Sequence, residues 1–160
     1  MGMNCELRCD GCGYSLEVSA GVGMMYPNVC QNTLERIKAG DYGPDYQTDA
    51  LNTPNAAVHI ERELYRCTTC NALRNELTLE LCAPIGRLKP RDVPFSSACP
   101  RSDVDYVMEK DIGTRYKVIR GQLHVCAHCG RLMIPVDFRE KIPCPKCSKP
   151  LARIDGMCWD

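Results

Sequence analysis

The chain has 160 residues, no formal net charge at pH 7, and 44% hydrophobic and 25% charged residues. These values indicate a folded globular chain of one domain or two small ones, and they exclude a disordered tail. Only 6% of the residues are aromatic, whereas 13 are cysteines, so we expect something besides packing to stabilise the core. Residues 1–80 carry six Lys or Arg against eleven Asp or Glu, and residues 115–160 carry nine against four. The whole chain therefore lacks the net basic surface of a general nucleic-acid binder.

The first predicted element with chemical content is a Cys-x-x-Cys turn at Cys9 and Cys12. Residues 15–19 alternate between apolar and polar, which indicates a strand leaving the turn. A helix is predicted over about residues 28–39, because it has an N-cap, an apolar stripe on one side and Gly40 as its C-terminal stop. It is the one helix that the sequence predicts.

The middle of the chain is predicted to hold a loop and two strands around a second turn. Residues 41–55 are rich in Gly, Pro, Asp and Asn, which is typical of a surface loop. Residues 57–65 predict a strand that enters a Cys-x-x-Cys turn at Cys67 and Cys70. Alternating leucines over residues 77–81 predict a half-buried strand that leaves it.

The last third of the chain is predicted to hold a connector and a second module. Prolines interrupt the segment that follows residue 83, and a strand is predicted over residues 116–123. Two further Cys-x-x-Cys turns come after that strand. The predicted domains are an expanded N-terminal module at residues 1–82, a proline-rich connector at residues 83–114 and a C-terminal module at residues 115–160.

The four Cys-x-x-Cys pairs share a spacing that suits metal binding. Two intervening residues let a tight turn direct both sulfurs at one ion, with backbone N–H groups free to hydrogen-bond the thiolates. Two such turns complete a tetrahedron, so four half-sites make two four-cysteine sites. The predicted metal ligands are Cys9, Cys12, Cys67, Cys70, Cys126, Cys129, Cys144 and Cys147.

The segment from Val125 to Ile154 resembles the zinc ribbon family, since each of its two turns leads into a short strand. The chain as a whole is similar to small double zinc-ribbon proteins whose activities are unassigned. The resemblance implies an α+β fold of two ribbons of short antiparallel strands, the first expanded by the helix and the loop. It also implies two Zn²⁺ ions as structural cofactors.

The half-sites can be paired in more than one way. Locality favours Cys126/Cys129 with Cys144/Cys147, across fourteen residues, and Cys9/Cys12 with Cys67/Cys70, across fifty-four. The longer loop costs only about 1.2 kcal/mol more to close, whereas a structural zinc contributes roughly 10–16 kcal/mol in small peptides. Other pairings therefore stay open, for example Cys67/Cys70 with Cys126/Cys129 and the two terminal pairs together.

Iron is the alternative metal. The segments Cys9-Asp10-Gly11-Cys12-Gly13-Tyr14 and Cys144-Pro145-Lys146-Cys147 look like the two iron knuckles of rubredoxin, which would make the chain an electron-transfer protein. Local pairing places these knuckles in different sites, and the chain lacks a tight aromatic core, so zinc is preferred.

Two further cysteine-based functions are weaker. A thioredoxin-like redox dithiol needs its Cys-x-x-Cys at the start of a helix, and the pairs here precede strands instead. Cys5, Cys9 and Cys12 match the cluster spacing of radical S-adenosylmethionine enzymes, but 160 residues cannot also supply the barrel that those enzymes build.

The function expected from these observations is a zinc-binding adaptor for a protein or nucleic-acid partner. Sites closed by four cysteines leave no open metal position, which disfavours catalysis. The second module is basic, so some of its side chains could contact phosphates or a partner. These candidates are Arg131, Lys146, Lys149 and Arg153.

We expect the chain to stay in the cytoplasm without contacting a membrane. Thirteen cysteines are an odd number for a disulfide framework, and reduced, clustered thiols more often bind metal. The sequence shows neither a leader pattern nor an apolar run of 18 residues. Five cysteines outside the pairs are expected to be small buried hydrophobic residues, namely Cys5, Cys30, Cys82, Cys99 and Cys158.

Overall fold

A computed structural model of the protein describes residues 2–21, 26–86 and 107–159. The described chain is α+β, as expected, with two helices and two antiparallel sheets of three and four strands. A 3-10 turn lies at Glu109–Asp111. The elements in chain order are β1 (Gly2–Arg8), β2 (Ser15–Ala20), α1 (Tyr26–Ala39), α2 (Pro44–Asn52), β3 (Ala57–Cys67), β4 (Leu73–Pro84), β5 (Tyr116–Gly121), β6 (Met133–Pro135) and β7 (Ala152–Trp159).

The three-stranded sheet brings the two ends of the described chain together. Its order is β2-β1-β7, so β1 is central and is paired antiparallel on both sides. Cys5, for example, lies opposite Val18 of β2 and opposite Asp155 of β7. A register shift interrupts the β1–β7 ladder between Met3 and Cys5. The first turn, with Cys9 and Cys12, therefore lies at the tip of the β1–β2 hairpin.

The four-stranded sheet has the order β5-β4-β3-β6. The last residues of β3, from Tyr65 to Cys67, pair with β6, which begins at Met133. The second half of β4 pairs with β5, with a register shift after Leu81. The second turn, with Cys67 and Cys70, joins β3 to β4.

The helix predicted over about residues 28–39 is present as α1, and Gly40 ends it as expected. Gly40 has a φ of 97°, and the N–H of Asp41 donates to the carbonyl of Arg36 at 3.1 Å. A glycine in the left-handed region, with a hydrogen bond from the next residue back to a carbonyl five positions earlier, is a common way to end a helix.

The second helix, α2, is a correction, since residues 41–55 were expected to form a loop. Pro44 lies in the first turn of α2, where its missing N–H costs no hydrogen bond. Ala50 is buried in the core, and Tyr46 packs against the same cluster. Tertiary packing therefore turns a segment of poor helix formers into a helix.

The chain forms two compact units, and each is built from separate stretches of sequence. The first unit comprises residues 1–23, 61–77 and 123–160, and the second comprises residues 24–60 and 78–122. This division interleaves along the chain, in contrast to the consecutive modules expected from the sequence.

Each unit has its own buried residues. In the first unit, one cluster includes Leu7, Leu64 and Phe138, and a smaller one joins Tyr65 to Met133. In the second unit, the helices pack on a cluster whose members are Cys30, Ile37, Ala50, Ala56, Val58, Ile60, Leu79 and Leu81. Most of the predicted connector, residues 83–114, lies outside the described residues.

Candidate metal centres

The eight predicted ligands come together as two groups of four cysteines. One group holds Cys9, Cys12, Cys144 and Cys147, and the other holds Cys67, Cys70, Cys126 and Cys129. Within each group all sulfur atoms lie within 4.8 Å of one another. Each group could therefore hold one metal ion.

The pairing of the half-sites is a correction to the locality argument. Cys126/Cys129 were expected to share a site with Cys144/Cys147, but they face Cys67/Cys70 instead. The terminal pairs form the other group, so the two sites are nested along the chain. Both groups lie in the first compact unit.

The distances between sulfur atoms fit a metal cage and not a disulfide. In the terminal group the Sγ–Sγ distances are 3.4 Å for Cys9–Cys147 and 3.5 Å for Cys12–Cys144. In the inner group they are 3.4 Å for Cys67–Cys129 and 3.6 Å for Cys70–Cys126. Metal–sulfur bonds of about 2.3 Å in a tetrahedron place sulfurs ~3.8 Å apart, whereas a disulfide joins them at about 2.0 Å.

All four turns have the same backbone hydrogen bonds. The N–H of each first cysteine donates to the carbonyl five residues later, for example from Cys9 to Tyr14 at 2.8 Å and from Cys144 to Lys149 at 2.7 Å. The carbonyl of each first cysteine accepts from the N–H four residues later, at distances from 2.8 to 3.2 Å. One local structure therefore recurs four times.

The residue after each second cysteine has a positive φ. Gly13 and Gly130 are at 70°, Asn71 is at 60° and Ser148 is at 61°. Glycine and asparagine enter this left-handed region most easily. No role was predicted for these four residues, although a small or turn-forming residue follows every cysteine pair in the sequence.

Backbone N–H groups favour the thiolate at the first cysteine of a turn. The N–H groups of Cys70 and Thr69 lie 3.5 and 3.4 Å from the Cys67 sulfur and lower the pKa of Cys67 to about 6. In the same way, the backbone N–H groups of Cys129 and His128 lower the pKa of Cys126. Each inner turn thus provides one cysteine that is readily deprotonated, as metal binding requires.

The β1–β7 ladder explains why the nested pairing of the half-sites is favoured over the pairing of turns that are close in sequence. The terminal sulfurs of Cys12 and Cys144 are 132 positions apart, and those of Cys70 and Cys126 are 56 apart. With the inner site closed first, nesting costs only about 1.4 kcal/mol more loop entropy than local pairing. The ladder pairs six positions between β1 and β7, and each hydrogen bond of a ladder contributes about 1 kcal/mol net. A few of these hydrogen bonds offset the entropy.

Both sites use the same strand arrangement. At the terminal site, the β1–β2 hairpin carries one turn, and β7, which follows the other turn, pairs with β1. At the inner site, β3 and β4 carry one turn, and β6, which follows the other turn, pairs with β3. In each case the central strand is the one that enters the first turn of the site.

Three of the four basic residues predicted to contact a partner have neighbours within the first unit. The Nζ of Lys146 lies 5.9 Å from the ring centroid of Tyr14. Lys149 passes so close to Gly11 that a Cβ there would meet its Cδ at 2.6 Å. Arg153 forms an ion pair with Asp155 at 2.8 Å. The two lysines follow or lie within the turn of Cys144 and Cys147, and their side chains reach the turn of Cys9 and Cys12. Their positive charge therefore lies close to the terminal group, where four thiolates around a divalent ion would leave a charge of −2.

The described cysteines outside the two groups are buried, as expected. Cys5, Cys30 and Cys82 are at most 6% exposed. Burial raises the pKa of Cys30 and of Cys82 to about 12, which keeps both as thiols. Cys99 and the side chain of Cys158 lie outside the described residues.

No protein-family model, curated protein or solved structure matches this chain. Neither of the described helices is long and apolar enough to cross a membrane.

Proposed function

We propose that the protein binds two structural Zn²⁺ ions and serves as a binding module, or adaptor, for a protein or nucleic-acid partner. The observation that carries the proposal is the presence of two four-sulfur groups, each within 4.8 Å. Four cysteine ligands fill every position of a tetrahedral ion, so neither site leaves room for water or substrate. When bound, the ions cross-link the hairpins of the first unit.

The repeated strand arrangement supports a zinc-ribbon architecture for both sites. Each site joins two tight turns through a central strand, which is what the resemblance of residues 125–154 implies for one ribbon. The resemblance was assigned to a continuous segment, whereas the strands of each site come from distant parts of the chain. We therefore propose two nested ribbons in place of two consecutive ones.

Iron electron transfer at the terminal site is a second candidate, and one observation favours it. The two rubredoxin-like knuckles were expected to fall in different sites, but the structure groups Cys9/Cys12 with Cys144/Cys147. Four thiolates hold either ion. Zinc is preferred because the inner site repeats the same turns without that resemblance.

A protein is the favoured partner on charge. The first unit has ten Lys or Arg and ten Asp or Glu. Two four-cysteine sites loaded with divalent ions add about −4. The loaded unit is then acidic overall, which opposes binding along a phosphate backbone.

Native mass spectrometry combined with a visible spectrum tests the metal. We expect two zinc ions per chain and no colour. A thiolate-to-iron absorption band would support the electron-transfer candidate, and a folded, metal-free chain with reduced thiols would contradict both candidates.

The nucleic-acid form of the proposal has its own test. The variant Lys146→Glu with Lys149→Glu reverses two charges beside the terminal site. If the partner is a nucleic acid, its affinity must fall with salt and must be lost in this variant. Insensitivity to both changes rejects the nucleic-acid form and leaves the protein partner.

A further inference from the structure

Four exposed aliphatic side chains lie on the hairpin that carries the third Cys-x-x-Cys turn. Leu123 is 77% exposed, Val125 57%, Leu132 47% and Ile134 39%. We call these four residues the aliphatic face. Singly exposed aliphatic residues are common, but a cluster of them marks an interaction surface more often than chance.

The hairpin register places the aliphatic face on one side. Val125 lies directly opposite Leu132, and the N–H of Met133 donates to the carbonyl of His124 at 2.8 Å. His124 and Met133 are 8% and 3% exposed and point to the buried side. Because side chains alternate along a strand, the residues on either side of these two project outward together.

The hairpin of the fourth turn provides an internal comparison. Its bridge joins Pro143 to Pro150, where the third turn has Val125 opposite Leu132. The positions that correspond to the other two residues of the face are Lys141 and Ala152. The same turn therefore forms without exposed Leu, Ile or Val, and the aliphatic face is not needed to build a site.

Positive charge borders the face. Arg66 lies directly opposite Ile134 across the β3–β6 ladder and so shares its side. Arg131, exposed at the end of the turn, directly precedes Leu132 and lies beside the face rather than on its side. Neither arginine has an ion-pair partner among the described residues, whereas Arg74 and Arg153 of the same unit pair with carboxylates. Residues 121–136 contain no Asp or Glu.

The surrounding charges favour one kind of occupant. A loaded inner site contributes about −2, but Arg66 points to the face of β3 opposite the Cys67 sulfur, because neighbouring residues of a strand alternate. The Oε2 of Glu63 accepts a hydrogen bond from the Tyr65 hydroxyl, so these two side chains lie on the same face of β3. Arg66 is the next residue along the strand and points to the opposite face. A second copy of the chain would bring the same positive border to the interface, with no Asp or Glu in residues 121–136 to pair with it.

We propose that the aliphatic face docks a segment of another protein that carries aliphatic side chains bordered by carboxylates. This proposal rests on the proposed binding function and names the partner of that module. The apolar contacts supply affinity, and Arg66 and Arg131 set the register of the bound segment.

Selection from a displayed library of random peptides on the full metal-loaded chain tests the proposal. We expect the selected peptides to share two or three aliphatic residues flanked by Asp or Glu. Leu132→Ser should weaken a selected peptide at least tenfold. Ile154→Ser is the matched control, because Ile154 is also 47% exposed but lies on β7, and it should leave the affinity within twofold.

Charge reversal gives a second measurement. In the variant Arg66→Glu with Arg131→Glu, a peptide whose acids are replaced by lysines should bind better than the original. Selection of basic peptides or of none, or equal loss in Leu132→Ser and Ile154→Ser, would overturn the proposal. So would binding of a nucleic acid at this face, or self-association that Leu132→Ser abolishes.

Metal content separates the two levels of failure. Each variant is first required to retain two ions per chain by native mass spectrometry. A wild-type chain that holds both ions but selects no aliphatic, acidic peptide contradicts the docking proposal alone, whereas a wild-type chain without ions contradicts the proposed function.

Discussion

At the scale of single residues, the positive φ after each cysteine pair is the detail on which the turns depend most closely. Gly130 has a φ of 70°, and no heavy atom lies within 4 Å of the place that a Cβ would take, so only its backbone conformation opposes a side chain. A residue other than glycine costs about 1–2 kcal/mol in this region. The turn at Ser148 already bears such a cost.

Gly130→Ala is therefore expected to lower the free energy of unfolding by about 1 kcal/mol, while Ser148→Gly should not lower it. Gly121→Ala is the control, since Gly121 is in a strand, and the nearest atom to an added Cβ is 4.0 Å away. Denaturant unfolding of the metal-loaded protein measures all three. Equal losses for Gly130→Ala and Gly121→Ala would contradict the role of the left-handed residue.

Gly156 is required for a different reason, which is close approach between strands. A Cβ there would lie 2.8 Å from the carbonyl oxygen of Asn4, near the register shift of the β1–β7 ladder. Gly156→Ala should cost roughly 1–3 kcal/mol, because backbone must move.

Gly11→Ala is the matched control for Gly156→Ala. Its Cβ would meet the Cδ of Lys149 at 2.6 Å, but a flexible lysine side chain can move aside. Thermal unfolding of the two variants should separate them clearly, and a larger loss for Gly11→Ala would contradict this account of the ladder.

The buried thiol of Cys30 predicts a dependence of stability on pH. Burial raises its pKa from 9.0 to about 12, so between these values the unfolded chain loses a proton that the folded chain keeps. The free energy of unfolding therefore falls as pH rises above about 9, by up to ~1.4 kcal/mol per pH unit for this group. Cys30→Ala should be less steep than wild type between pH 8.5 and 10.5, and parallel slopes would contradict a buried thiol.

At the scale of elements, the sequence predicts local structure well and long-range partners poorly. The turns, α1 and the strand that follows the first turn depend on residues close in sequence, and all were predicted. The pairing of the turns depends on the ladder between β1 and β7. Closeness in sequence gave the wrong partners because the entropic cost of closing a loop rises only with the logarithm of its length. A few strand hydrogen bonds therefore decide which turns share a site.

The second helix, α2, also depends on contacts between residues that are distant in sequence, and it was not predicted. Residues 44–52 contain Pro, Asp and Asn, whose local preferences favour a loop. Ala50 is only 2% exposed, and that burial comes from packing against residues distant in sequence. No local pattern carries this information.

At the scale of the whole molecule, both four-cysteine groups belong to one unit, and the other unit has no such group among its described residues. Removal of metal by a chelator should therefore speed amide hydrogen exchange most in β1, β2, β6 and β7. The helices, which pack on their own apolar cluster, should keep more of their protection. Hydrogen exchange followed by mass spectrometry measures this difference, and uniform loss of protection would contradict it.

The nested pairing of the two sites is the central claim, and metal stoichiometry in double variants tests it most directly. Cys9→Ser with Cys144→Ser removes ligands from one site, so the chain should keep one ion. Cys9→Ser with Cys67→Ser removes a ligand from each site, so the chain should lose both. If the second variant kept one ion and the first kept none, the pairing would be local and the nested arrangement would be wrong.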